Sequence, residues 1–133
     1  MKTPADDDAV LIARVRAKVM DAVRQSTSVL HHTVRADGGE WHELAPGIER
    51  KLLWERGTAS SCMIRVAPGT SFRAHGHAID EECVVLEGSL QIGDVLLRAG
   101  DFHVGVSGID HPAVSSVDGC LCFLRTAKSF FEP

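Results

Sequence analysis

Gly69-Thr70-Ser71-Phe72-Arg73-Ala74-His75-Gly76-His77-Ala78-Ile79-Asp80-Glu81-Glu82-Cys83-Val84-Val85-Leu86-Glu87-Gly88 is the stretch on which the fold turns. Two histidines stand two apart, and a glutamate follows four positions later. In an extended strand, residues two apart share a face, so His75 and His77 would project side by side, roughly 7 Å apart at Cα. Glu81 has the same parity and can rejoin that face after a bend. A second stretch, Gly100-x5-Val106-x-Gly108-x2-His111, supplies a third histidine from a neighbouring strand. Imidazole nitrogens with one carboxylate oxygen suit a divalent transition ion. His75, His77, Glu81 and His111 are therefore the expected metal ligands. Strand parity prefers Glu81 to Glu82.

The glycines flanking these residues have physical uses of their own. Gly69 follows Pro68, which presets the first central position of a type II turn and leaves the second to glycine. Gly88 ends the apolar run Cys83–Leu86 and is expected to reverse the chain. Gly100 and Gly108 would aim the His111 strand at the first histidine pair.

Taken together, the two spaced motifs resemble the signature motifs of the cupin superfamily, from about Trp41 to Arg125. Val106 stands where proline is usual, and Ser115 where the second motif usually ends in asparagine; neither is a metal ligand in that family. The resemblance implies an all-β, double-stranded β-helix, a jelly-roll-like barrel with one N-terminal α-helix added here. Further residues narrow the branch. Trp41-x4-Pro46-Gly47-Ile48, Leu52-Leu53, the Ser-rich Thr58–Ser61, Met63–Gly69 and Asp80–Gly88 are similar to the cupin-like domain of ChrR-type anti-sigma factors. In such proteins a separate zinc-binding helical domain holds a sigma factor, and the cupin-like domain is associated with sensing oxidative signals. No cysteine or histidine occurs before His31, so the resemblance implies a sensory or regulatory half standing alone. A small metal-dependent dioxygenase acting on a dicarbonyl or phenolic molecule is the alternative, and an inert structural zinc module the third reading.

The chain has 133 residues, one ordinary domain's worth and enough to bury a core. Its formal charge of −4 argues against a nucleic-acid partner. No apolar run approaches the length that spans a bilayer, and MKTPADDDAVLIARV is unlike a signal peptide. A cytoplasmic protein is expected. Cys62, Cys83, Cys120 and Cys122 contain no C-x2-C pair and fit buried, reduced thiols. Cys120 and Cys122 would share a strand face. If that face lines the metal cavity, they become candidates for redox sensing or ligand exchange.

Residues 1–27 read as a helical segment and 28–133 as the β domain. Ile12, Val15, Val19 and Val23 recur at helical spacing over 6–25, with Asp6, Asp7 and Asp8 as expected capping residues. Such a stripe needs a surface to cover it: its own domain, a second copy, or a protein partner. Its own domain or a second copy is the first expectation for the stripe, and the cupin resemblance separately implies a homodimer. Strands are expected at 29–35, 48–56, 60–67, 71–77, 82–87, 89–92, 95–98, 102–105, 111–116 and 120–126.

Zinc is the first ion expected in the site, with iron, manganese, nickel and cobalt open, and a small-molecule ligand could share the ion. Gln91, Ser115 and Glu82 are candidate acceptors for the histidines' second ring N–H. His103 could face the cavity or solvent, with a solvent-facing or structural role ahead of ligation, and His31, His32 and His42 read as surface residues. Trp41 and Trp54 read as core or interface aromatics, and Arg65, Arg73 and Arg125 as outer-face residues. No catalytic acid, base or nucleophile can be placed.

Overall fold

The computed structural model describes residues 4–28 and 31–131, with the side chains of 4–7 and 22–28 outside that description. Two compact units divide the chain, residues 1–35 and 36–133. The first holds helix α1, Pro4–Ser28. Its start at Pro4 suits proline, whose fixed φ is prepared for a first helical position. Asp6, Asp7 and Asp8 accordingly lie inside the helix, in its first turns, rather than capping it. Leu11, Ile12, Val15, Val19 and Met20 are exposed. No described helix is long and apolar enough to cross a membrane.

Among the described residues the second unit is built from nine antiparallel strands. They are β1 (Trp41–Ala45), β2 (Ile48–Arg56), β3 (Ala59–Val66), β4 (Thr70–Phe72), β5 (Glu81–Ile92), β6 (Val95–Arg98), β7 (Phe102–Gly105), β8 (Val114–Ser116) and β9 (Cys120–Ala127). A 3-10 turn, Lys128–Phe131, follows. One sheet runs β1-β2-β3-β9-β5-β7; β5 also pairs with β6 and β8, and β8 with β4, in a second sheet. Strand β5 belongs to both because it is long enough to bend from one into the other.

That bend is visible in which side chains face in. Glu81, Cys83 and Val85 are buried on odd positions; a register shift between Val85 and Glu87 then moves burial to Leu90 and Ile92. A bulge inserts one residue, and one residue flips the face. Facing strands contribute Cys62, Ile64 and Val66 from β3 and Cys120, Cys122 and Leu124 from β9, closing one core. Each buried aliphatic side chain contributes roughly 1.5–3 kcal/mol relative to exposure.

Four sequence expectations change. Residues 31–35 form no strand, and 29–30 lie outside the described residues. Strand β1 was not anticipated; it opens on Trp41, whose ring carries the Arg65 guanidinium at 3.9 Å. Gly88 does not reverse the chain, since β5 runs through it. The expected strands 71–77 and 111–116 are shorter: β4 ends at Phe72 and β8 begins at Val114, leaving the histidines in loops.

Candidate metal centre

Those loops are held by backbone pairing. His75 and His111 exchange both backbone hydrogen bonds, with N–O distances of 3.2 and 2.6 Å, as an isolated antiparallel bridge. The Gly108 N–H donates to the His77 carbonyl at 3.3 Å, and the Ser107 N–H to Asp80 Oδ1 at 2.9 Å. The segment 75–80 is thereby stitched to 107–111, and β5 begins at Glu81 directly afterwards.

One ring nitrogen from each of His75, His77 and His111 lies within 4.8 Å of the others, and this trio is the one metal-capable cluster among the described residues. The His75 and His111 rings are near-parallel, 5.2 Å apart, while His77 stands edge-on to both. His75 Nδ1 lies 3.0 Å from the Arg73 carbonyl and His111 Nδ1 2.9 Å from the Pro112 carbonyl. A carbonyl can only accept, so both Nδ1 atoms carry the proton and both Nε2 lone pairs are left for a ligand. Backbone carbonyls thus do what Gln91, Ser115 and Glu82 were expected to do. Gln91 instead donates to the Gly93 carbonyl at 2.7 Å.

His77 is the most telling member. Its side chain is 0% exposed, Nδ1 lies 3.3 Å from Glu81 Oε2, and neither ring nitrogen has a hydrogen-bond partner. Glu81 Oε2 is likewise buried and unpartnered. Buried polar atoms are almost always satisfied, and an orphaned one costs about 1–3 kcal/mol. One unpartnered nitrogen of His77 beside two oriented imidazoles makes a three-histidine donor set that fits a divalent cation; Glu81 lies against His77 but outside that trio. Burial, reinforced by His75 and His111, pulls His77 down from the usual imidazole range to about 4. Burial pushes the Glu81 carboxyl above its ordinary range, against an opposing pull from Thr126 and His75. His77 is thus held neutral, the state in which it ligates.

The neighbouring glutamates part company as parity required. Glu81 points into the barrel, whereas Glu82 is on the outside, 3.7 Å from Arg125. Arg65 is also outside, 3.6 Å from Glu49, and Arg73, His31, His32 and His42 are exposed.

Three residues stand at the site beyond the expected quartet, two of them unforeseen. His103 is half-buried and lines the cavity, its ring perpendicular to His111 at 5.6 Å, rather than facing solvent. Burial, then His111, lowers its pKa. Gly105 pairs with Glu81, and a Cβ there would come 3.0 Å from His111 Cδ2 and 3.3 Å from His77 Cδ2. Parity would have found both, since 103 and 105 share a strand face and a strand glycine often marks close approach. Phe130, in the closing turn, lies 5.2 Å from His75 and 5.8 Å from His77, ring to ring. No strand register reaches that far along the chain.

The cluster opens on a cavity of about 310 Å³ inside the barrel, walled by Ile64, Leu90, Ile92, Val114, Leu124 and Phe130 among others. Cys83 and Cys122 line it too. All four cysteines are free and buried. Hydrogen bonding with Cys120 and Cys83, then burial, holds the Cys122 thiol far above the ordinary range.

Residues 30–129 match the family described as the ChrR cupin-like domain. The chain belongs to that family. No curated protein matches it significantly. Among solved structures, this cupin resembles an RmlC-like cupin from Shewanella frigidimarina at 20% identity and TM-score 0.66, over 75% of this chain and 96% of that one. It resembles a chain of the Rhodobacter sphaeroides complex of SigE with the anti-sigma ChrR at 21% identity and TM-score 0.62, over 85% and 79%. An acetylacetone dioxygenase from Acinetobacter johnsonii matches at 14% identity and TM-score 0.56, over 73% and 79%. Such likenesses establish the fold, an all-β cupin barrel preceded by one helix.

Proposed function

We propose that this cupin binds one divalent transition ion, zinc first, through His75, His77, His111 and Glu81, and acts as a sensory or regulatory domain related to anti-sigma factors. The observation that carries the metal is the buried, unpartnered set on His77 and Glu81 beside two imidazoles with oriented Nε2 atoms. Family membership supports the regulatory half. So does the placement of Cys83 and Cys122 on the wall of the same cavity, where a change at sulfur would be felt by the ligands. When bound, the ion supplies a Lewis-acidic position for an oxygen donor.

The exposed stripe Ile12, Val15 and Val19 is suited to an apolar partner, a second copy first and a sigma factor next. The protein is taken to work in the cytoplasm. Metal analysis of unsupplemented protein, with X-ray absorption, should give one ion per chain with histidine ligands. Peroxide should then release that ion. An ion-free, metal-indifferent protein removes this reading.

A second reading has one specific support, the apolar cavity beside the histidines, which could hold a dicarbonyl or phenolic substrate of a dioxygenase. Oxygen uptake by the iron-loaded protein with such substrates would favour it over the sensor.

A further inference from the structure

We propose that the cavity accepts a small, largely apolar molecule with a single anionic oxygen head, bound head-first at the ion, and that Phe130 sets how broad its body can be. This rests on the reading of the quartet as a metal site. A divalent ion facing one carboxylate, Glu81, retains a single net positive charge in a buried setting. One anionic head balances it, whereas a dianion overshoots and a neutral head leaves it uncompensated.

Beyond the head, the walls offer almost nothing polar. Outside the quartet, the lining residues that are not aliphatic or aromatic hydrocarbons are His103 and two thiols. Each hydroxyl buried there without a partner costs about 1–3 kcal/mol, so polyols and sugars are disfavoured. A volume of about 310 Å³ is at the small end for a ligand pocket.

Phe130 stands at the mouth. Its residue is 42% exposed, yet its ring reaches His75 and His77. The turn that carries it is held on both sides. The Lys128 N–H donates to the Thr58 carbonyl at 2.8 Å, and its ammonium lies 3.5 Å from Glu55. Phe131 packs edge-on against Phe130 at 5.1 Å, with the Arg50 guanidinium 3.8 Å over its outer ring. A ring so anchored is a wall, and a ligand on the ion must fit between it and the barrel interior.

The test uses the zinc-loaded full chain, its zinc content measured first, with calorimetry against benzoate, naphthoate, phosphate and benzyl alcohol. Benzoate should bind at least about tenfold more tightly than phosphate or benzyl alcohol and shift the methyl NMR signals of Ile64 and Ile92. Phe130→Ala should keep its zinc and close the benzoate-over-naphthoate gap by about tenfold. If Phe130→Ala does not fold, Phe130→Leu should relax that preference and Phe130→Trp sharpen it. Phosphate binding as well as benzoate, or unmoved methyl signals, would overturn the ligand class while leaving the metal reading intact. An unchanged preference in all Phe130 variants would overturn the role of that residue. Failure of the wild-type chain to hold zinc would overturn both readings together.

Discussion

At position 105 the inward face of β7 meets two of the three imidazoles, and a side chain there would press on both. A methyl group would crowd His111 Cδ2 at 3.0 Å and His77 Cδ2 at 3.3 Å, so the rings must tilt. Gly105→Ala should leave the fold intact and weaken zinc binding by about 10–100-fold, the range seen when groups that orient ligands are disturbed. Competition against a chelating dye, with circular dichroism as the folding control, reads this; an unchanged affinity would mean that the rings are not held as described. Glu81→Gln separates charge from shape. Without metal, burial disfavours the ionised carboxyl, so the neutral amide should raise Tm at pH 7. With zinc, loss of the anionic ligand should lower Tm relative to wild type. Opposite signs from one substitution would be hard to obtain from a merely structural glutamate. The three histidines that cluster were legible in the sequence, and for His75 and His77 the reason is that two-residue parity survives even in an extended loop. His103 and Gly105 were legible by the same rule, but a site already complete gave no reason to apply it.

Strand β5 carries the element-scale consequence. Gly88 has φ near +73°, and a Cβ there would fall 2.0 Å from the Gly119 carbonyl oxygen. The glycine permits two backbones to touch at the point where the strand passes from one sheet into the other. Gly88→Ala meets both a left-handed backbone and a backbone clash, and should cost about 4 kcal/mol or more. Urea unfolding should show it, and a loss below about 1 kcal/mol would contradict the packing. Sequence could not separate this use of glycine from a chain reversal, because a turn and a close approach demand the same residue. The same ambiguity lies behind the strand expected at 29–35 and the unexpected one at Trp41–Ala45. A short alternation of apolar and polar residues carries no record of whether a partner edge awaits it. β1 forms because β2 offers an edge, paired from Trp41↔Lys51 to Ala45↔Ile48 with a register shift after Glu43.

For the whole molecule, the site sets how stability answers to metal and to acid. An ion that binds the folded chain alone stabilises it by about 4 kcal/mol at a thousandfold excess over Kd, so chelation should lower Tm by roughly 10–20 °C. Acid then acts on the metal-free chain in a direction fixed by His77. Its folded value near 4 lies below the ordinary 6.5, so between those limits the unfolded chain takes up a proton that the folded chain refuses. Stability from this residue is fully present above 6.5, declines as the pH falls, and stops declining below about 4. Glu81 works the other way: its value is raised above the ordinary 4.5, so its contribution is complete below that value and is lost as the pH rises through the folded one. The two windows overlap, and wild-type Tm alone would blur them. His77→Gln removes one and keeps the other. The difference in Tm between wild type and His77→Gln, measured without metal, should therefore shrink from pH 6.5 to pH 4 and stay constant above 6.5. With zinc present the dependence should steepen, because the imidazoles must shed their protons to bind it. A Tm difference independent of pH across that window would mean that His77 is not kept neutral by its surroundings, and the ligand-ready state assigned to it would fall.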